Sequence, residues 1–214
     1  MTVIFDLDGT LLNTIGDLGE ACNFALERMN LPTHTPEQYK HLVGNGVRKL
    51  IERALPEGYK TDETIEQVLS LFKQYYDKHC CNITCPYDGI SQLVDDLQSR
   101  DFNVAVASNK YQSAAERIVN HYFPGIRYVY GQRDGVPIKP SPFVVEEIMT
   151  DLKIHDKSEI LYIGDSGVDW QTAKNAGVKA AIVSWGFCSR QELKEKGIEN
   201  IVDTIDELRQ IIFE

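Results

Sequence analysis

Two carboxylates stand two residues apart near the amino terminus, in Val3-Ile4-Phe5-Asp6-Leu7-Asp8-Gly9-Thr10-Leu11-Leu12. Such a pair can supply a charged oxygen nucleophile beside a group that gives and takes a proton. Carboxylates this close repel, so a divalent cation, a lysine, or a proton retained on one of them must offset the charge. Three later clusters carry complementary groups. Ser108-Asn109-Lys110 offers a hydroxyl and an amide suited to holding phosphoryl oxygens alongside backbone N–H groups. Lys139 precedes Pro140, whose ring restricts the backbone before it and so fixes the root of a flexible ammonium. Gly164-Asp165-Ser166-Gly167-Val168-Asp169 adds two acids: Asp165 can ligate a hard cation through oxygen, and Asp169 can hold that cation or its water.

These groups need elements that bring them together. Val3, Ile4 and Phe5 read as a short buried strand ended by Gly9-Thr10, which puts Asp6 and Asp8 at its carboxyl end and on one side of the chain. Strands are expected at 104–107, 128–130, 160–163 and 180–183, alternating with helices near 90–99, 113–121, 141–152, 170–175 and 205–212. Ser141-Pro142 is expected to supply the N-cap and first turn of the third of these. Strands and helices in this order predict an α/β fold with a doubly wound, mainly parallel sheet, in which ligands bind at the carboxyl ends of strands. Each cluster follows such a strand or the next loop, so the four converge on one face.

Between Gly16 and Cys81 the pattern is helical only. Ala21, Phe24, Ala25, Leu26 and Met29 form one amphipathic stretch, Val47, Leu50, Ile51 and Leu55 a second, and Ile65, Val68, Leu69, Phe72, Tyr75 and Tyr76 a third. A segment of this length is too long for a loop between strands. The expected organisation is a core of 1–14 and 86–214 with a helical domain, 15–85, inserted into it.

Hydrophobic content of 43% and charged content of 25% over 214 residues suit a globular chain with a substantial core. A formal net charge of −10 argues against nucleic acid or an anionic membrane as partner, since both call for clustered Lys and Arg. No basic region followed by a long apolar stretch opens the chain, and a cytoplasmic location is expected. Five cysteines, with Cys22 and Cys188 placed inside expected regular elements, fit reduced thiols better than a disulfide framework. Cys80, Cys81 and Cys85 cluster without a second Cys or His pair to complete a zinc site with His79.

Phe5-Asp6-Leu7-Asp8-Gly9-Thr10-Leu11, Ser108-Asn109, Lys139-Pro140 and Gly164-Asp165-Ser166 with Asp169 match in order the four motifs of the haloacid dehalogenase superfamily of phosphotransferases, which the chain resembles over nearly its whole length. The helical insert looks like the type 1 cap of that superfamily. Asp8 separates the chain from the true dehalogenases, which lack a second acid there. The resemblance implies a phosphatase in which Asp6 attacks phosphorus, Asp8 moves protons, and Ser108, Lys139, Thr10 and Asn109 meet the phosphoryl group. It further implies Mg²⁺ held by Asp6, by the backbone carbonyl of Asp8 and by Asp165, with Asp169 behind them. A small-molecule phosphate ester is the implied partner, and the protein is expected to be a monomer or homodimer.

His41-Leu42-Val43-Gly44-Asn45-Gly46-Val47-Arg48 most resembles the Val-Gly-x-Gly stretch in the cap of phosphoglycolate phosphatases. That resemblance makes Gly44, Asn45, Gly46 and Arg48 substrate-binding candidates, with Arg48 meeting a substrate carboxylate. Asn13-Thr14 departs from the acidic-then-Ser pair common in the subgroup. Two alternatives stand beside this reading. One is a phosphatase or mutase for a sugar phosphate, nucleotide or pyrophosphate, though no histidine follows Thr14 where sugar phosphomutases of this type use one. The other is a non-enzymatic phospho-switch like receiver domains, which lack both the helical insert and an equivalent of Asp8.

Overall fold

Three of the four residues of β1 (Thr2–Phe5) are β-branched and the fourth is aromatic, and all four are buried. The computed structural model describes residues 1–214, and β1 is its central strand. After it come β2 (Leu12–Asn13), α1 (Ile15–Arg28), α2 (Pro36–Leu42), α3 (Val47–Ala54), α4 (Asp62–His79) and β3 (Cys85–Pro86). The chain then alternates: α5 (Ile90–Ser99), β4 (Asn103–Tyr111), α6 (Gln112–Tyr122), β5 (Tyr128–Gln132), α7 (Phe143–Leu152), β6 (Ile160–Gly164), α8 (Gly167–Ala176) and β7 (Lys179–Val183). It closes with α9 (Arg190–Glu195), β8 (Ile201–Val202) and α10 (Ile205–Phe213). Two compact units result, Met1–Asn13 with Pro86–Glu214, and Thr14–Cys85.

The first unit is built on a six-stranded sheet in the order β5-β4-β1-β6-β7-β8, with every pair parallel. Its inner strands read as unbroken apolar runs because helices cover both faces; Val145 and Ile148 of α7 and Ala173 and Ala176 of α8 pack with Ile4, Ala105 and Tyr162. Strand order reverses at β1, whose neighbours β4 and β6 come from later, separate parts of the chain. The carboxyl end of β1 is therefore the switch point at which doubly wound sheets bind ligands. Register makes this concrete: Phe5 lies opposite Val106 on one side and Ile163 on the other, so the residues after all three emerge together.

In the second unit α1 packs along α4, and Phe72, Tyr76 and Tyr39 are fully buried. Asp17 of α1, 1% exposed, accepts from Ile83 N–H, Thr84 N–H and the Thr84 hydroxyl, and so ties the end of this unit back to its beginning.

Four details differ from expectation. Strand β4 does not stop at Ala107 but runs to Tyr111, through a register shift against β5 in which Ser108, Asn109 and Lys110 oppose the single Gly131. Helix α7 begins at Phe143 with Pro142 in the cap position, and Ser141 Oγ accepts only from Phe143 N–H. Cys188 lies in the irregular stretch between β7 and α9, because the chain bends at Ser184 to cover the end of the sheet. Elements β2, α2, β3, β8 and α9 have no counterpart in the pattern.

Candidate active site

Leaving β1, Asp6 donates its N–H to Ile163 O at 2.8 Å, and its Oδ1 accepts from Leu7 N–H at 2.7 Å, which points the carboxylate into the switch-point crevice. Lys139 meets it there. The ammonium, 5% exposed as a residue, lies 2.9 Å from Asp6 Oδ1, 2.8 Å from Asp169 Oδ1 and 2.9 Å from Ala107 O, so each of its three hydrogens has an acceptor. Asp169 is set by α8: it forms a capping box with Ser166, whose N–H and hydroxyl both donate to Asp169 Oδ2. Asp165, at the end of β6, accepts from Phe187 N–H at 2.7 Å.

One carboxylate oxygen from each of Asp6, Asp165 and Asp169 lies within 4.8 Å of the others, and all three residues are buried. Three buried acids face one lysine, which leaves negative charge in excess. Burial pushes the Asp6 carboxyl up to about 7, against the pull of Lys139 and with the push of Asp169. Burial likewise carries Asp165 well above the carboxylate range, reinforced by Asp169 and Asp6. Burial alone would lower Lys139, but Asp169 and Asp6 outweigh it and hold the ammonium well above the usual lysine value. An oxygen-only donor set with surplus negative charge, closely wrapped by backbone, has the chemistry of a hard divalent cation site. A side-chain carbon on Gly9 would stand 2.2 Å from Asp165 Oδ2.

Asp8 has a different environment. Its side chain is 18% exposed, against 12% for Asp6, and it pairs with Lys110 Nζ at 3.0 Å. The same bend carries Thr10, whose hydroxyl is buried without a hydrogen-bond partner and whose carbonyl accepts from Trp185 Nε1 at 3.2 Å.

The model of the haloacid dehalogenase-like hydrolases matches residues 3–183, so it covers every residue of this cluster up to β7. The chain belongs to that family. Among curated relatives, this hydrolase is similar to a phosphoglycolate phosphatase of Aquifex aeolicus, with 30% identity over 86% of the chain and 85% of the relative. It is also similar to one of Pseudomonas savastanoi pv. phaseolicola, with 31% identity over 98% and 78%. A solved structure from Lactobacillus delbrueckii subsp. bulgaricus, assigned as a phosphoglycolate phosphatase, superimposes with a TM-score of 0.91 at 33% identity, covering 99% of this chain and 97% of that one. No helix of the hydrolase is long and apolar enough to cross a membrane.

The fold brings Asp6, Asp8, Ser108, Lys139, Asp165 and Asp169 to one end of the sheet. Ser108 is 6% exposed, and its Oγ accepts from Lys110 N–H at 3.2 Å, which leaves its own hydrogen to donate. Asn109 is turned elsewhere than expected: its Oδ1 accepts from Lys139 N–H at 2.9 Å and its Nδ2 donates to Lys139 O at 3.1 Å, so it braces the lysine's backbone.

In the helical unit, Gly44, Asn45 and Gly46 form a loop in which all three residues have positive φ, and Arg53 donates to the carbonyls of Leu42, Val43 and Gly44. Arg48, expected to meet a substrate carboxylate, is paired with Asp62 and Glu66 because its place in the first turn of α3 faces the acidic start of α4. Sequence reasoning missed Lys110 and the Trp185-Gly186-Phe187 stretch. Lys110 had a signal, since it shares the strand side of Ser108; the stretch acts through one indole N–H, one backbone N–H and the space left at Gly186, none of which patterns of charge or hydropathy reveal.

Proposed function

We propose that this hydrolase cleaves phosphomonoesters through a phospho-Asp6 intermediate, with Mg²⁺ at the acidic cluster and a small acid phosphate such as 2-phosphoglycolate as substrate. The observation that carries the reading is the Asp6 carboxylate, buried and set 2.9 Å from Lys139, with a second acid of different environment two residues on. Environments that differ in this way divide the duties of nucleophile and proton carrier.

Asp6 attacks phosphorus and the ester P–O bond breaks, with Asp8 giving its proton to the departing oxygen. Water then loses a proton to the Asp8 carboxylate and attacks the same phosphorus. The acyl-phosphate P–O bond breaks, releasing inorganic phosphate and restoring Asp6. Lys139 and the Ser108 hydroxyl supply positive charge and a donor where the phosphoryl oxygens gather. Asp6, Asp165 and the carbonyl of Asp8 would hold the cation, with Asp169 behind them. When bound, it offsets carboxylate and phosphate charge and keeps Asp6 ionised at neutral pH.

Similarity to phosphoglycolate phosphatases supports this choice of substrate. A phosphate-ester panel assayed with Mg²⁺ tests both levels. We expect kcat/KM for 2-phosphoglycolate to exceed that for hexose phosphates, nucleoside monophosphates and pyrophosphate by more than about tenfold. Preference for one of those others would replace the substrate and keep the chemistry. Asp6→Asn should abolish turnover of every ester, and Asp8→Ala should cost about 100- to 10,000-fold while still binding metal. An Asp6→Asn protein that hydrolyses an aryl phosphate at the normal rate would overturn the mechanism.

A further inference from the structure

Asp165 is gripped from two sides by backbone. On one side is Gly9, whose positive φ of 86° already calls for glycine. On the other is Gly186, in the stretch between β7 and α9, which has no positive φ and for which conformation alone demands nothing. Space demands it instead. A side-chain carbon at Gly186 would lie 2.3 Å from Asp165 Cβ, 2.3 Å from Asp165 Oδ2 and 2.4 Å from the Gly9 carbonyl oxygen. Two of those three atoms sit on or next to backbone, so no rotation of a flexible side-chain end relieves the overlap.

The closeness has a use. It lets Phe187 N–H reach Asp165 Oδ2 at 2.7 Å, while Trp185 Nε1 reaches the Thr10 carbonyl at 3.2 Å. Three consecutive residues thus join the Asp165 carboxylate to the loop that carries Asp6 and Asp8.

We infer that Gly186 is a positioning residue for the cation: by omitting a side chain it lets residues 185–187 close on Asp165 and fix the orientation in which that carboxylate meets the metal. This rests on the reading above that Asp165 is a metal ligand. Groups that orient a ligand without touching the ion commonly govern affinity by about 10- to 100-fold.

The test is Mn²⁺ affinity, measured on the full-length protein by the electron paramagnetic resonance of free ion, alongside thermal melting with and without Mn²⁺. Gly186→Ala should bind about 10- to 100-fold more weakly. Its apparent KM for metal should rise, while kcat at saturating metal falls far less. Trp185→Phe, which keeps an aromatic side chain but loses the pyrrole half of the indole with its N–H donor, should weaken binding by about 2- to 10-fold and serves if Gly186→Ala does not fold. Gly58→Ala, at a position where an added carbon meets nothing within 4 Å, should bind as the unaltered protein does.

Asp165→Asn separates the two levels. If it binds Mn²⁺ normally, Asp165 is no ligand and the earlier reading of the cluster fails. If it loses binding while folded Gly186→Ala keeps normal affinity, the inference about Gly186 fails alone. Normal affinity in Trp185→Phe, should Gly186→Ala be unobtainable, overturns it equally.

Discussion

Lys139 carries three hydrogens, and Asp6, Asp169 and the Ala107 carbonyl take one each. That arrangement is costly to interrupt, because removing the ammonium leaves two buried carboxylates facing each other. Lys139→Met should lower the unfolding free energy of the metal-free protein by about 3–5 kcal/mol. Adding Asp6→Asn in the same chain should restore part of that loss, since one of the stranded charges is gone; strictly additive effects in urea denaturation would contradict the coupling. Lys139→Arg should restore neither stability nor turnover, for a planar fork cannot aim at three acceptors converging on a point. At this scale the sequence was legible where a side chain brings charge to the end of the sheet, as with Asp6, Asp8, Lys139 and Asp165. It was illegible where a residue serves backbone. Asn109 looked like a phosphate ligand because amides bind oxygens, yet the one oxygen and the one N–H it binds belong to Lys139 itself.

Elements announced themselves by apolar runs and failed to where runs are short or polar. Strands β1, β6 and β7 and helix α8 stand close to where their patterns place them, because buried Val, Ile and Ala leave a periodic trace. The two-residue strands β2, β3 and β8 are too brief to leave one, and the polar end of β4 is a strand only by pairing across its irregularity with β5. Asp17 belongs with these hidden features. It lies in α1 among apolar neighbours, and its partners Ile83 and Thr84 follow 66 and 67 residues later, so no local pattern reports the contact. Asp17→Ala leaves two N–H groups and a hydroxyl without their acceptor and should cost the helical unit at least about 2 kcal/mol. The check is urea unfolding followed by far-ultraviolet circular dichroism. A midpoint unchanged from the unaltered protein would mean that water replaces the carboxylate at no cost.

For the molecule as a whole, the surplus of buried acid sets how stability responds to pH. Asp6 has its carboxyl raised from 3.8 to about 7, and Asp165 moves in the same direction. Above the ordinary carboxylate range the folded chain binds more protons than the unfolded one, so unfolding free energy falls as pH rises from about 4 through about 7, where Asp6 gives up its proton. Asp96, Asp156 and Asp203 are shifted the other way, and their contribution is lost only on descending below the ordinary carboxylate range, outside this window. Lys139, held high, contributes until well into the alkaline range. Raising pH also builds net negative charge on the chain, from near neutrality at pH ≈ 5.0 to a formal −10 at pH 7, which pushes in the same direction. Mg²⁺ separates the two causes. A cation at Asp6 and Asp165 favours their ionised forms and stabilises only the folded state, so the gain it gives should grow across the same window. With a chelator present, the melting temperature should drift downward from about pH 5 to about pH 7.5; with saturating Mg²⁺ the drift should flatten or reverse. Two parallel curves would show that general charge repulsion, and not the buried acids at the end of β1, governs the pH response.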